Sequence, residues 1–126
     1  LTANAQNPTL KIKQFDGRIF DLSKQNGKVT IVTFWAQWCS NCKREMPILN
    51  KFYKNNKARG LEVVAISIDR KSQRAKARRF ARNFDYPTAL AESVIDTSFS
   101  QPKFIPTYYL IGKNGEFLGR FLIVRP

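Results

Sequence analysis

The sequence predicts an α/β domain, and three observations carry that reading. Two runs, Lys28 to Trp35 and Leu61 to Asp69, are rich in β-branched and apolar residues, as expected of strands in the middle of a sheet. Each is followed by a stretch with helical spacing, Ser40 to about Lys57 and Lys71 to Phe84. Two more extended runs, Pro106 to Ile111 and Glu116 to Val124, flank a Gly-Lys-Asn-Gly turn and read as an antiparallel pair.

The 126 residues are the size of one domain, taken here as 1–126 with residues 1–8 a flexible N-terminal segment. A hydrophobic content of 43%, with ten Phe, is enough for a single core. No apolar run approaches the roughly 18 residues of a membrane span. Leu1 to Pro8 lacks the charged start and apolar centre of a signal peptide, and fits a mature N-terminus or a trimmed chain equally. The chain has no His, which excludes His-based acid–base and metal chemistry. The net charge of +13 favours acidic partners, anionic lipid or, nonspecifically, nucleic acid.

Taken in order, Thr9 to Lys13 alternates and reads as a strand. Asp16-Gly17 is a hairpin turn, and Ile19-Phe20 is the short return. Asn26-Gly27 turns the chain into the first central strand. In the helix that follows, Ile48, Leu49 and Phe52 make the apolar stripe, with Lys51, Lys54 and Lys57 on the wet side. Pro47 either bends this helix or marks its start. Gly60 ends the region. In the second helix Ala77, Phe80, Ala81 and Phe84 share a face. Tyr86-Pro87 stops it, Thr88 to Ala91 reads as a short strand, and Glu92 to Ser100 reads as a short helix.

The only two cysteines, Cys39 and Cys42, stand where the first central strand gives way to the first helix. A helix N-terminus carries unpaired N–H groups and about half a positive charge, which stabilises a thiolate. One turn on, Cys42 can attack a mixed disulfide formed at Cys39. Two Cys and no His cannot complete a structural zinc site. Lys43 stands where haem attachment needs His. A purely structural disulfide remains open, though so short a loop restrains the unfolded chain little.

Phe34 to Cys42, with Glu45, Pro47 and Ile105-Pro106-Thr107, resembles the active-site segments of the thioredoxin-fold superfamily. Within it the chain most resembles the TlpA/ResA/CcmG group of bacterial extracytoplasmic thiol–disulfide oxidoreductases, from about Pro8 to about Arg125. The resemblance implies a thioredoxin-like three-layer α/β/α fold with a central mixed β-sheet, an N-terminal β-hairpin and a helix–strand insertion. The group's last helix has no counterpart before Pro126, so the C-terminal helix is expected to be missing and part of one sheet face left differently covered. The resemblance also favours a kinked helix running from near Cys39 through Pro47.

It further implies roles for residues. Cys39 is the attacking and Cys42 the resolving thiol. Pro106 follows a cis peptide bond beside the sulfurs, and Ile105 offers backbone groups to an extended partner chain. Glu45 handles protons beneath the cysteines, against the plainer reading of a first-turn Glu favoured by the helix dipole. Thr33 stands where thioredoxin has a buried Asp, which leaves Glu45 as the nearby proton carrier. Trp38 shields Cys39 and gives a partner an apolar contact, while Trp35 reads as core or as site rim. Lys43 and Arg44 would favour a thiolate. A peroxidase of the peroxiredoxin type is disfavoured, because its Thr-to-Cys pattern is not evident.

The expected function is therefore exchange of the Cys39–Cys42 pair with protein thiols or disulfides, without cofactor or metal. A periplasmic or extracytoplasmic reductase is the first reading, membrane-anchored if a longer precursor carries an anchor. Its expected partners are apocytochrome c or a copper-site protein, with a membrane thiol–disulfide transporter as electron donor. The alternatives are a DsbA-like oxidase and a non-catalytic binding module. The run Arg70 to Arg82 holds seven positive charges and no acid. It reads as a solvated helix face, or as a dock for an acidic partner or anionic membrane surface. No nucleic-acid motif accompanies it. A monomer is expected.

Overall fold

The structure is a computed structural model and describes residues 7–123. Residues 1–6 of the expected flexible segment and Val124 of the expected last strand lie outside the described residues. Seven strands form one sheet: β1 (Leu10–Gln14), β2 (Ile19–Asp21), β3 (Val29–Trp35), β4 (Leu61–Ser67), β5 (Thr88–Thr97), β6 (Thr107–Ile111) and β7 (Phe117–Phe121). Their order is β2-β1-β5-β4-β3-β6-β7. The helices are α1 (Ser40–Asn56) and α2 (Arg74–Ala81).

Central position explains the apolar runs. β3 pairs in parallel with β4 from Val29↔Leu61 to Trp35↔Ser67, and antiparallel with β6 from Thr30↔Ile111 to Phe34↔Thr107. Both its edges are thus occupied and both its faces buried. β4 in turn pairs in parallel with β5. The mixed sheet of the expected fold follows from these directions.

Alternation divides the core in two. Ile31, Trp35, Val63, Ala65 and Tyr108 pack with Met46, Leu49 and Tyr53 of α1 and with Ala77 and Ala81 of α2. Val32, Phe34, Val64 and Ile66 point the other way and pack with Leu10, Ile12, Phe20 and Leu22. The N-terminal hairpin therefore serves as core for the second face. Gly17, at φ +91°, makes its turn possible, because a Cβ is strained in the left-handed region.

Two expectations shift. Glu92 to Ser100 is not a helix: β5 continues to Thr97 and pairs antiparallel with β1, from Leu10↔Thr97 to Gln14↔Ala89 with two register shifts. The reason lies in β1, whose second edge needs backbone partners. Val94, Ile95 and Thr97 are β-branched and suit an extended neighbour. The second helix is also shorter than Lys71 to Phe84. A 3-10 turn, Lys71–Gln73, precedes α2, which ends at Ala81. Phe84 still packs, with its ring 5.3 Å from Phe80 and stacked on Tyr86.

Pro47 lies inside a continuous α1, so the helix does not begin there. Ile31, Ile48, Leu49, Phe52, Leu110, Phe121 and Ile123 line an apolar groove of about 370 Å³ between α1 and the β6–β7 end of the sheet. No helix among the described residues is long and apolar enough to cross a membrane.

Candidate functional site

β3 delivers the chain to the site. Its last residue, Trp35, is fully buried, and the turn through Gln37 and Trp38 follows. Cys39 then caps α1: its Sγ accepts a 3.2 Å hydrogen bond from the Cys42 N–H. The two sulfurs are joined as a disulfide, with Cα atoms 5.3 Å apart. Cys39 is 8% exposed and Cys42 wholly buried, so an incoming group meets Cys39. The first turn of α1 contains no acid. Lys43 and Arg44 are exposed there, with the Lys43 ammonium 5.6 Å from the centre of the Phe80 ring. A sulfur at this position has a hydrogen-bond donor, a helix terminus and nearby cations, each of which favours a thiolate.

The loop is fixed from β4's side. Asp69 is 2% exposed, and its Oδ2 accepts from the Gln37 N–H at 2.9 Å and from the Ser67 hydroxyl at 2.6 Å. The Ile68 N–H donates to the Trp35 carbonyl. Asp69 Oδ1 and Trp35 Nε1 are buried without a hydrogen-bond partner among the described residues. Sequence reading missed Asp69. Its place just past an apolar strand gave no sign that its carboxylate reaches across to the cysteine loop.

Of the residues expected at the site, Glu45 is buried one turn beyond Cys42, and its Oε1 accepts a 2.7 Å hydrogen bond from the Tyr108 hydroxyl. Tyr108 belongs to the cluster that includes both cysteines and lies opposite Thr33 in the sheet. Tyr108 was also missed, because only the β3–β6 register brings it under the helix. The Ile105–Pro106 peptide bond is cis. Both residues are half-buried, and Ile105 packs against the cysteine-containing cluster. Trp38 is 64% exposed. Trp35 is core, with its ring 5.7 Å from Phe80. A concavity of about 510 Å³ lies beside the hairpin and is lined by neither cysteine.

Comparison with known proteins agrees with this architecture. The chain is 29% identical over 119 residues to the thiol-disulfide oxidoreductase ResA of Bacillus cereus, covering 91% of this chain and 66% of that protein. It is 32% identical over 111 residues to ResA of Geobacillus kaustophilus, covering 86% and 63% respectively. It thus spans just under two thirds of the length of these relatives. A solved structure from Chlorobium tepidum, described as a candidate thiol:disulfide interchange protein DsbE, superposes with a TM-score of 0.77 at 29% identity, covering 96% of this chain and 85% of that one. The fold is thioredoxin-like. Residues 3–117 match the AhpC/TSA family, and with a match that spans nearly all of the sequence the chain belongs to that family.

Proposed function

We propose that this chain is a protein thiol–disulfide oxidoreductase in which Cys39 attacks and Cys42 resolves. The observation that carries the reading is the Cys39 sulfur at the cap of α1, hydrogen-bonded by the Cys42 N–H and barely open to solvent. The relatives named thiol-disulfide oxidoreductase support it.

In the reducing direction the Cys39 thiolate attacks one sulfur of a partner's disulfide. The Cys39–partner bond forms, the partner's S–S bond breaks, and the other partner sulfur leaves as a thiolate that takes up a proton. Cys42 then loses its proton and attacks Cys39 Sγ. The mixed disulfide breaks, the Cys39–Cys42 bond forms, and the partner departs as a dithiol. Two electrons pass to the partner. Glu45, one turn from Cys42, is the group that takes and returns the resolving proton. Trp38 gives the partner an apolar contact, and Ile105 and Pro106 border the extended segment that carries its cysteine.

We read the working direction as reduction outside the cytoplasm, on apocytochrome c or metal-site thiols, with a membrane thiol–disulfide transporter restoring the dithiol. The resemblance of the cysteine segment to the TlpA/ResA/CcmG group favours this choice over a DsbA-like oxidase. Equilibration of the pair with glutathione or dithiothreitol tests it. A potential at or below about −270 mV, the thioredoxin range, is expected; one near about −120 mV, as in DsbA, makes the protein an oxidase. Absence of any exchange would leave only the binding module.

A further inference from the structure

The outer face of α2 is densely basic. Arg74, Arg78 and Arg82 recur every four residues and so form one stripe, flanked by Lys71 and Arg79. These five exposed side chains border a groove of about 460 Å³. Among the described residues the ion pairs are Arg18–Asp16 and Lys54–Asp85, so none of the five is held in an ion pair, although the Glu92 carboxylate accepts a 3.0 Å hydrogen bond from the Lys71 N–H and Asp16, Glu62 and Asp85 share a second concavity with Arg78 and Arg82. The opposite face of α2, with Ala77 and Ala81 buried, holds the helix to the sheet. Like charges one turn apart destabilise a helix, so this arrangement carries a cost that an acidic counterpart would relieve.

Building on the oxidoreductase reading, we propose that the α2 groove docks an acidic segment of the partner protein that carries the exchanging cysteine. Three features select this occupant. Four of the five cations are Arg, whose planar fork binds carboxylates in bidentate fashion. None of the exposed large apolar side chains lies on α2, whereas a helix lying in a membrane interface inserts such residues. Phe80 of α2 reaches inward to Trp35 and Lys43, so the groove's helix is fastened to the end of the molecule that bears Cys39.

The test compares two disulfide-bridged peptides that differ only in flanking residues, one acidic and one neutral. At low salt the protein, reduced beforehand with dithiothreitol and freed of it, is expected to reduce the acidic peptide in a single turnover with a second-order rate constant about tenfold higher, within the range that charge steering gives. The preference disappears at high salt and in the triple variant Arg74→Gln, Arg78→Gln, Arg79→Gln, which reduces the neutral peptide at the wild-type rate. Fluorescence anisotropy with an acidic peptide in which Ser replaces both Cys reads docking without chemistry. Salt-sensitive binding that the triple variant loses supports the dock even if no peptide is reduced, in which case only the oxidoreductase reading falls. Equal rates and equal binding for the two peptides overturn the proposal, as does a preference that survives the triple substitution. Binding to phosphatidylglycerol vesicles that the triple variant loses, with no peptide preference, overturns it in favour of a membrane surface.

Discussion

The Tyr108 hydroxyl donates a 2.7 Å hydrogen bond to Glu45 Oε1, linking the cysteine-bearing helix α1 to the strand that follows Pro106. The two residues are 63 positions apart and both are buried. The carboxyl group proposed to handle protons is therefore held in place by the same strand that carries the cis Ile105–Pro106 bond into the site.

Tyr108→Phe keeps the ring, which stacks on Phe121 at 5.4 Å, and removes only the hydroxyl. Loss of this bond should cost about 1–3 kcal/mol in urea unfolding, the usual range when a buried acceptor loses its partner. If Glu45 carries the resolving proton, the pH profile of disulfide exchange moves as well. A destabilised variant with an unaltered profile would leave Tyr108 a structural residue only.

Cys42→Ser should trap mixed disulfides between Cys39 and a substrate protein, visible as a mass adduct removed by dithiothreitol. Cys39→Ser should trap almost none, because Cys42 has no exposed surface. Comparable adducts from both variants would reject the assignment of attacking and resolving roles.

Asp69→Ala removes the acceptor of the Gln37 N–H and the Ser67 hydroxyl. A buried donor left unpaired costs about 1–3 kcal/mol, so the variant should lose at least that much stability. Exchange should also slow, since Gln37 lies two residues before Cys39. Asp69→Asn, which keeps an acceptor oxygen in the same place, should recover much of both. Equal damage from Asn and Ala would show that the charge matters, not the acceptor.

Alkaline conditions should weaken the fold through two tyrosines. Burial, followed by the nearby Glu62 carboxylate, pushes Tyr53 up from 10.0 to about 12, and burial pushes Tyr86 up as well. Folded-state values above the unfolded one mean that the stabilisation is complete below pH 10 and is lost as pH rises through the folded values. Unfolding midpoints measured from pH 8 upward should fall beyond about pH 10, less steeply in Tyr53→Phe. A parallel decline in that variant would remove Tyr53 from the account.

Much of this was legible in the chain. The apolar runs of β3 and β4 announced central strands, because a strand covered on both faces cannot alternate. Cys39 and Cys42 at a strand–helix junction announced the sulfur chemistry. Glu92 to Ser100 misled because a polar, mixed segment has no decisive period of its own. Its strand character comes from β1, some 80 residues earlier, which needs a neighbour. Tyr108 and Asp69 stayed hidden for a related reason. Each acts through a register or a side-chain reach that spans elements, and local pattern does not encode either.

β7 is one of the two edge strands of the described sheet, and Phe117 and Leu118 on it are 48% and 56% exposed. Unpaired N–H and C=O groups beside apolar side chains are a template for another chain. For all the positive charge, the described sheet has a margin where concentration alone could recruit a second copy edge to edge. The self-repulsion of a +13 molecule opposes that association, and salt weakens the opposition. Aggregation should accordingly increase with ionic strength, and Leu118→Lys should suppress it.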